Sequence, residues 1–400
     1  MNKVYSVWRM LPDGETLQAG RLALTVSESK KITTIRFQYA REYIERGLAP
    51  LDPVNAPAQT QMITFETNGQ LPGFIDDCMP DAWGQKVIAA SRKLSFIGKA
   101  DVLDALPKAV IGDTAITALS DKPAFDLGLS LSDFETLQAD DFNDNLDRLN
   151  VDYDGLKMLL QGGSGVGGAR PKLLVNESVG PYIYKFNRSQ DSMDVAANEW
   201  ASLEVMRQAD INLEVCEAEV GYLLGRKFLK VKRFDVSEKG RHRLITLNGL
   251  LKTPLQEDTS FPSYDGIANT IKKHSISVEK DLKQLVSQAL FNQALNNTDD
   301  HLRNFSFINR GQGYQLSPAY DVLPSDTIGA YHQLTLRQRS IPTLEQADKL
   351  IKQGHMDYFF NLDRPSCEKI VGSIRESMQD FDRFVDLKKT DSENMSVKEN

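Results

Sequence analysis

The chain has 400 residues, 41% hydrophobic and 26% charged, with a formal net charge of −8. That length exceeds one ordinary core and predicts two or three structural units. The excess of carboxylates argues against nucleic acid as a direct partner of the surface, and neither a long apolar run nor a signal-like amino terminus (Met1-Asn2-Lys3-Val4-Tyr5) points to a membrane or to export.

Residues 1–115 read as an amino-terminal α+β unit. Val4–Trp8 and Thr33–Tyr39 alternate at a period of two, which predicts strands of a small antiparallel sheet, and Pro12-Asp13-Gly14 predicts a turn. Asp81–Lys93 has helical spacing, with Trp83, Val87 and Ile88 on the face to be buried. Residues 116–152 are rich in Asp and predict an acidic connection with one or two surface helices. A second unit, 153–236, opens with a glycine-rich loop. Lys172–Val175 follows as a strand, Asn176–Gly180 as a turn and Pro181–Phe186 as the returning strand. Asp194 is placed to cap a helix reaching Gln208, and Gly221–Val236 adds two short strands. Lys227, Lys230, Lys232 and Arg233 alternate there as on the exposed, solvated edge of a strand. Residues 237–387 read as a mostly helical unit and 388–400 as a charged, disordered tail. Cys78, Cys216 and Cys367 lack CxxC spacing, which fits a reducing cytoplasm and no disulfide or metal framework.

The glycines Gly162, Gly163, Gly165, Gly167 and Gly168 let backbone N–H groups approach phosphate oxygens, because no Cβ intervenes. The run is not a Walker A loop, since no Gly-Lys-Ser/Thr follows, nor a dinucleotide fingerprint, since a strand follows it. Alone it suits a flexible linker as well as a phosphate loop, and Arg170 and Lys172 just beyond it favour an anion. Lys185 lies on a strand among apolar residues, where a lysine can snorkel to solvent. The alternative is a buried carboxylate partner. Ala196, Glu199, Leu203 and Met206 recur at helical spacing, which turns Glu199 toward the core, where a carboxylate is costly unless paired. A Lys185–Glu199 ion pair that presents the lysine to the α- and β-phosphates of ATP is the expectation.

The strongest signal is Asn297-Thr298-Asp299-Asp300-His301-Leu302-Arg303-Asn304, followed after a short hairpin by Tyr320-Asp321. By itself the cluster is also good turn chemistry at a helix end. With Asp321 downstream and the loop and lysine upstream, it is the inventory of phosphoryl transfer. Asp299 orients and deprotonates an acceptor hydroxyl, and Asn304 and Asp321 hold Mg2+. His301 has no Ser or Cys nucleophile pattern about it and is expected to hold the loop beside the nucleotide.

These residues resemble the HipA-like serine/threonine kinases, the toxins of bacterial toxin–antitoxin pairs, over most of the chain. Gly167-Gly168-Ala169-Arg170-Pro171-Lys172 is similar to that family's phosphate-loop signature and Thr298–Ser306 to its catalytic loop. Pro318–Leu323 is similar to its metal motif, and Met79-Pro80-Asp81-Ala82-Trp83-Gly84 to a signature of its amino-terminal subdomain. The resemblance implies an α+β, bilobal, protein-kinase-like fold with a helical C-lobe. It implies Asp299 as catalytic base, Asn304 and Asp321 as magnesium ligands, and an ATP site formed by Gly163, Ser164, Gly165, Val166, Gly167, Gly168, Lys172, Lys185, Glu199 and His301. It further implies a cytoplasmic enzyme that phosphorylates a protein such as an aminoacyl-tRNA synthetase. Its partner is a small helix-turn-helix antitoxin through which alone it meets DNA. Two positions depart from the pattern. Gly165 stands where many relatives carry an autophosphorylated serine, with Ser164 one residue earlier, and Lys232 stands where some carry a glutamate near the adenine. Asp299-x-His301-x-x-Asn304 also resembles phosphoinositide kinases, which keeps a small-molecule or lipid-type kinase as the alternative. A catalytically silent scaffold for antitoxin and DNA is the non-enzymatic one.

Overall fold

The computed structural model describes residues 1–400 except 68, 81, 95–96, 136, 149–157, 160–161, 163–169, 252–261, 327–330 and 397–400. The amino-terminal part is an antiparallel sheet of β1 (Asn2–Met10), β2 (Thr16–Val26), β3 (Ile32–Tyr39), β4 (Ile63–Glu66) and β5 (Thr114–Ala118), in the order β4-β3-β2-β1-β5. Period-two alternation sets its inner face: Ile32, Ile35, Phe37 and Tyr39 are buried along β3, while Arg36 and Gln38 face out. Gly20 in β2 has no room for a side chain, because a Cβ there would meet Gln38 O at 2.5 Å and the Phe37 ring at 2.7 Å.

The small lobe is a second five-stranded sheet, order β6-β7-β8-β10-β9, built from β6 (Leu129–Ser130), β7 (Lys172–Glu177), β8 (Gly180–Phe186), β9 (Ala218–Leu223) and β10 (Arg226–Lys232). Its helices are α1 (Ala82–Ser91), α2 (Ala139–Arg148) and α3 (Val195–Gln208). Asp194 caps α3 by accepting the Ala197 N–H. The lobe's core joins Trp83 and Val87 of α1 to Phe134, Phe142, Leu173, Val175, Tyr184, Phe186 and Phe228. The Tyr184 and Phe228 rings stack at 4.1 Å.

The large lobe contains α4 (Tyr264–His274), α5 (Val278–Ala294), α6 (Leu344–Lys352), α7 (Arg364–Ser377) and α8 (Phe381–Ser396), with the small antiparallel sheet β11 (Arg243–Thr246), β12 (Ser306–Asn309) and β13 (Tyr314–Leu316). One continuous core runs from Leu22, Ile35, Phe37 and Phe74 through Ile245, Leu247, Phe305 and Phe307 to Tyr264, Leu285 and Ile370. The amino-terminal sheet is thus fused to the large lobe. A buried ionic knot reinforces the seam: Asp113 accepts from Arg9 Nε of β1 at 2.6 Å and pairs with Arg243 Nη1 of β11 at 3.2 Å. Arg9 also donates to the Tyr43 hydroxyl. The result is an α+β, two-lobed molecule of the protein-kinase type.

Three expectations need correction. The acidic segment 116–152 is more than a surface connection, because β6 pairs in parallel with β7 and Phe134, Phe142 and Leu146 enter the small-lobe core. The basic stretch at 227–233 is no exposed edge: β10 lies between β8 and β9, Lys227 pairs with Asp194, Lys230 with Glu177 and Glu219, and Arg233 with Asp235. The tail expected to be disordered from 388 continues α8 as far as Ser396. Trp200 of α3 meets Phe384 of α8 edge-on at 5.9 Å, which ties that helix to the small lobe. Among the described residues no helix is long and apolar enough to cross a membrane.

Candidate active site

The site lies where β7, β8 and α3 of the small lobe face the loop between α5 and β12 and the segment after β13. Lys185 on β8 projects opposite Tyr184 and Phe186, whose rings fill the small-lobe core. Its Nζ is 2.5 Å from Glu199 Oε1 on α3 and 2.7 Å from Asp321 Oδ1. Lys172 lies directly across the β7–β8 ladder from Lys185 and is buried. Two ammonium groups opposite one another on a sheet repel, and the two carboxylates beneath them supply the compensation. Burial works against the Lys185 charge, but Asp321 and Glu199 hold the ammonium above its ordinary value. Burial alone would raise the Asp321 carboxyl, yet Lys185 and then Lys172 outweigh it and keep that group well below the usual carboxylate range. Glu199 is displaced the other way, because burial exceeds the attraction of a lysine it shares with Asp321.

The loop that follows α5 is held by a chain of buried hydrogen bonds. Asn297 Nδ2 donates to Asn292 Oδ1 at 2.9 Å, Asn292 Nδ2 to the Tyr264 hydroxyl at 3.0 Å, and that hydroxyl to Asp300 Oδ2 at 2.9 Å. Asp300 is fully buried and also accepts the Gln333 backbone N–H at 2.8 Å. Its neighbour Asp299 turns the other way, with a side chain 72% exposed. Partial burial raises the Asp299 carboxyl; His301 opposes this, and the nearby Asp321 and Asp300 charges add to it. Gln333 Nε2 donates to Asp299 Oδ1 at 2.6 Å, and His301 Nε2 stands 3.9 Å from the same oxygen.

Asn304 ends a single 3-10 turn, Leu302–Asn304. Its Nδ2 donates to the carbonyl oxygens of Asp299 at 2.8 Å and Asp321 at 3.5 Å, which leaves its amide oxygen as the group to offer a ligand. The hairpin β12–β13 returns the chain so that Asp321 meets this turn. Asp321 adopts φ +57°, a left-handed conformation that Asp tolerates better than most residues. Among the described residues no cluster of three or more His, Cys, Asp or Glu side chains forms a self-sufficient metal cage. One amide oxygen and one carboxylate, both hard donors, instead fit Mg2+, which keeps several ligands from water or phosphate.

The structure therefore brings together Lys172, Lys185, Glu199, Asp299, His301, Asn304 and Asp321. Gly163, Ser164, Gly165, Val166, Gly167 and Gly168 lie outside the described residues; Gly162 at their edge packs so closely on Leu129 that a Cβ would stand 2.5 Å from Leu129 Cδ1. Sequence reasoning missed Asp300 as the buried post of the loop and Gln333 as the donor to Asp299, since both depend on contacts made more than thirty residues away. It also missed the Tyr320 hydroxyl, which donates to Arg303 O at 2.8 Å.

Comparison with known proteins agrees with this architecture. HipA from the toxin–antitoxin system of Shewanella oneidensis MR-1, solved with HipB and operator DNA, matches with a TM-score of 0.65 and 17% identity over 96% of this chain and 95% of its own. A putative kinase of Sinorhizobium fredii, Y4mE, is 29% identical over 128 residues, which is 30% of either protein, so this chain matches less than a third of that relative's length. The model of the HipA N-terminal domain matches residues 10–117 and that of the HipA-like C-terminal domain residues 164–381, more than half of the chain. The chain belongs to the HipA-like family.

Proposed function

We propose that this protein is an ATP- and Mg2+-dependent serine/threonine protein kinase, the toxin of a toxin–antitoxin pair. The observation that carries the reading is Lys185 held between Glu199 and Asp321, with Asn304 and Asp299 at the same cleft mouth. A lysine paired to a helix carboxylate, a carboxylate and an amide for the metal, and a second carboxylate for the acceptor are the working parts of phosphoryl transfer.

In this reading Lys185 and Lys172 bind phosphate oxygens, while Asn304 and Asp321 orient the metal. Asp299 accepts the proton of the acceptor hydroxyl. When bound, ATP would supply the phosphoryl group, and Mg2+ held by Asn304 and Asp321 would supply positive charge opposite its phosphates. His301 steadies the loop at Asp299. The substrate we propose is a translation-related protein such as an aminoacyl-tRNA synthetase. The partner is a small helix-turn-helix antitoxin that carries the contact with operator DNA, as the HipB-bound relative suggests.

The test is transfer of labelled γ-phosphate from Mg-ATP into lysate proteins by wild type and Asp299→Asn. A labelled band that vanishes in the variant supports the reading. Turnover of ATP without labelled protein replaces it with a small-molecule or lipid-type kinase, and no turnover at all leaves a silent scaffold.

A further inference from the structure

The turn that carries Asn304 is three residues long, too short to hold its own geometry. Part of what fixes it comes from the amino-terminal unit, through the single helical turn Gly73–Asp76 and the residue after it. Gly73 sits backbone to backbone against Gly249, and a Cβ there would lie 1.8 Å from Gly249 O. Asp77 accepts the Thr246 N–H at 2.8 Å and the Thr246 hydroxyl at 2.7 Å, at the end of β11 that pairs with Ser306. Leu247 N in turn donates to Phe305 O at 2.8 Å. Asp76 Oδ2 then reaches the loop itself and binds Arg303 Nη2 at 2.5 Å, while the Tyr320 hydroxyl holds the Arg303 carbonyl from the other side.

We propose that Asp76 is a positioning residue for the phosphotransfer loop: by clamping Arg303 it sets Asn304 and Asp299 relative to Asp321, so the amino-terminal unit is part of the catalytic apparatus. This inference rests on the kinase reading above. Asp76 has a second cation, Lys99 Nζ at 3.4 Å from Oδ1, which lies away from the loop and serves as an internal control.

ATP turnover and transfer to lysate proteins are measured for wild type, Asp76→Asn, Arg303→Gln, the double variant and Lys99→Gln. Misplacing a reacting group by about 1 Å can cost roughly 100-fold, so kcat is expected to fall roughly 10- to 100-fold in Asp76→Asn, with KM for ATP nearly unchanged. Arg303→Gln should match it, the double variant should be no worse than either, Arg303→Lys should recover part of the loss, and Lys99→Gln should behave as wild type. Additive losses in the double variant, or an undiminished kcat in Asp76→Asn, would overturn the proposal. Amide hydrogen exchange over 297–306 needs no turnover. Faster exchange confined to that stretch in Asp76→Asn supports the clamp, and identical exchange overturns it. A wild type that transfers no phosphate while its Asp76→Asn variant loosens the loop refutes the kinase reading and leaves the clamp standing as a structural contact.

Discussion

Lys172 and Lys185 lie directly opposite one another across the β7–β8 ladder, and both are buried or nearly so. The arrangement holds because Glu199 and Asp321 approach from another helix and from the other lobe. The lobes are therefore joined at the cleft by charge as well as by packing. Replacing Lys185 by Met removes nucleotide affinity in our reading and leaves two carboxylates with one neighbouring cation. Losing one partner of a buried pair costs about 3–5 kcal/mol, so chemical denaturation should show a large loss of stability. Adding Glu199→Gln should restore part of it; a Lys185→Met variant as stable as wild type would contradict this account.

Asp299 behaves differently because its side chain is 72% exposed. Asp299→Asn should leave the denaturation midpoint and nucleotide binding near wild type while phosphate transfer falls roughly 100- to 10,000-fold, the range for removing a general base. A variant that loses nucleotide binding as well would place Asp299 on the nucleotide and not on the acceptor.

Asp77 offers a pH test. Burial pushes its carboxyl up to about 6, and the hydrogen bonds from Thr246 only partly offset this. Its folded pKa is above the unfolded value, so its contribution to stability is complete near pH 4, is lost as pH rises through about 6, and is constant beyond. Two pKa units correspond to about 3 kcal/mol as an upper bound. Asp77→Asn keeps the partners and loses the titration, so its stability relative to wild type should rise between pH 4 and 7 and then level off. Parallel stability curves for the two proteins across that window would show that Asp77 does not titrate there.

Asp113 is shared by Arg9 and Arg243, and all three are buried. Asp113→Asn leaves two guanidinium groups without their counter-ion, for a cost of about 3–5 kcal/mol. Because the amino-terminal sheet and the large lobe share one core, the variant should still unfold in a single transition on calorimetry. A separate early transition would mean that the amino-terminal sheet melts on its own.

Much of this was legible because it is local. Alternation placed β3 and β8, Asp194 announced α3, and the spacing of Glu199 put a carboxylate where only a buried cation makes it tolerable. β2 was missed because Gly20 and the polar residues around it break the alternation, and Gly20 is there to let the Phe37 ring close in. β5 pairs with β1 across about a hundred residues, and nothing local marks it. The cations of β10 looked solvated because Asp194 and Glu177, the partners of Lys227 and Lys230, sit on other elements. In the site, Asp299, Asn304 and Asp321 follow from spacing, whereas Asp76, Asp300 and Gln333 become visible only when the fold brings distant segments together.

The segment between the two family matches, residues 118–163, has a consequence for how this protein can be taken apart. It supplies β6 to the edge of the small-lobe sheet, and Phe142 meets Phe186 edge-on at 5.6 Å. A fragment beginning at residue 164 would carry Lys172, Lys185, Glu199, Asp299, Asn304 and Asp321 yet expose the apolar side of β7 and β8. A stretch outside both family models is easily set aside as a spacer, but here it walls the lobe that bears Lys185.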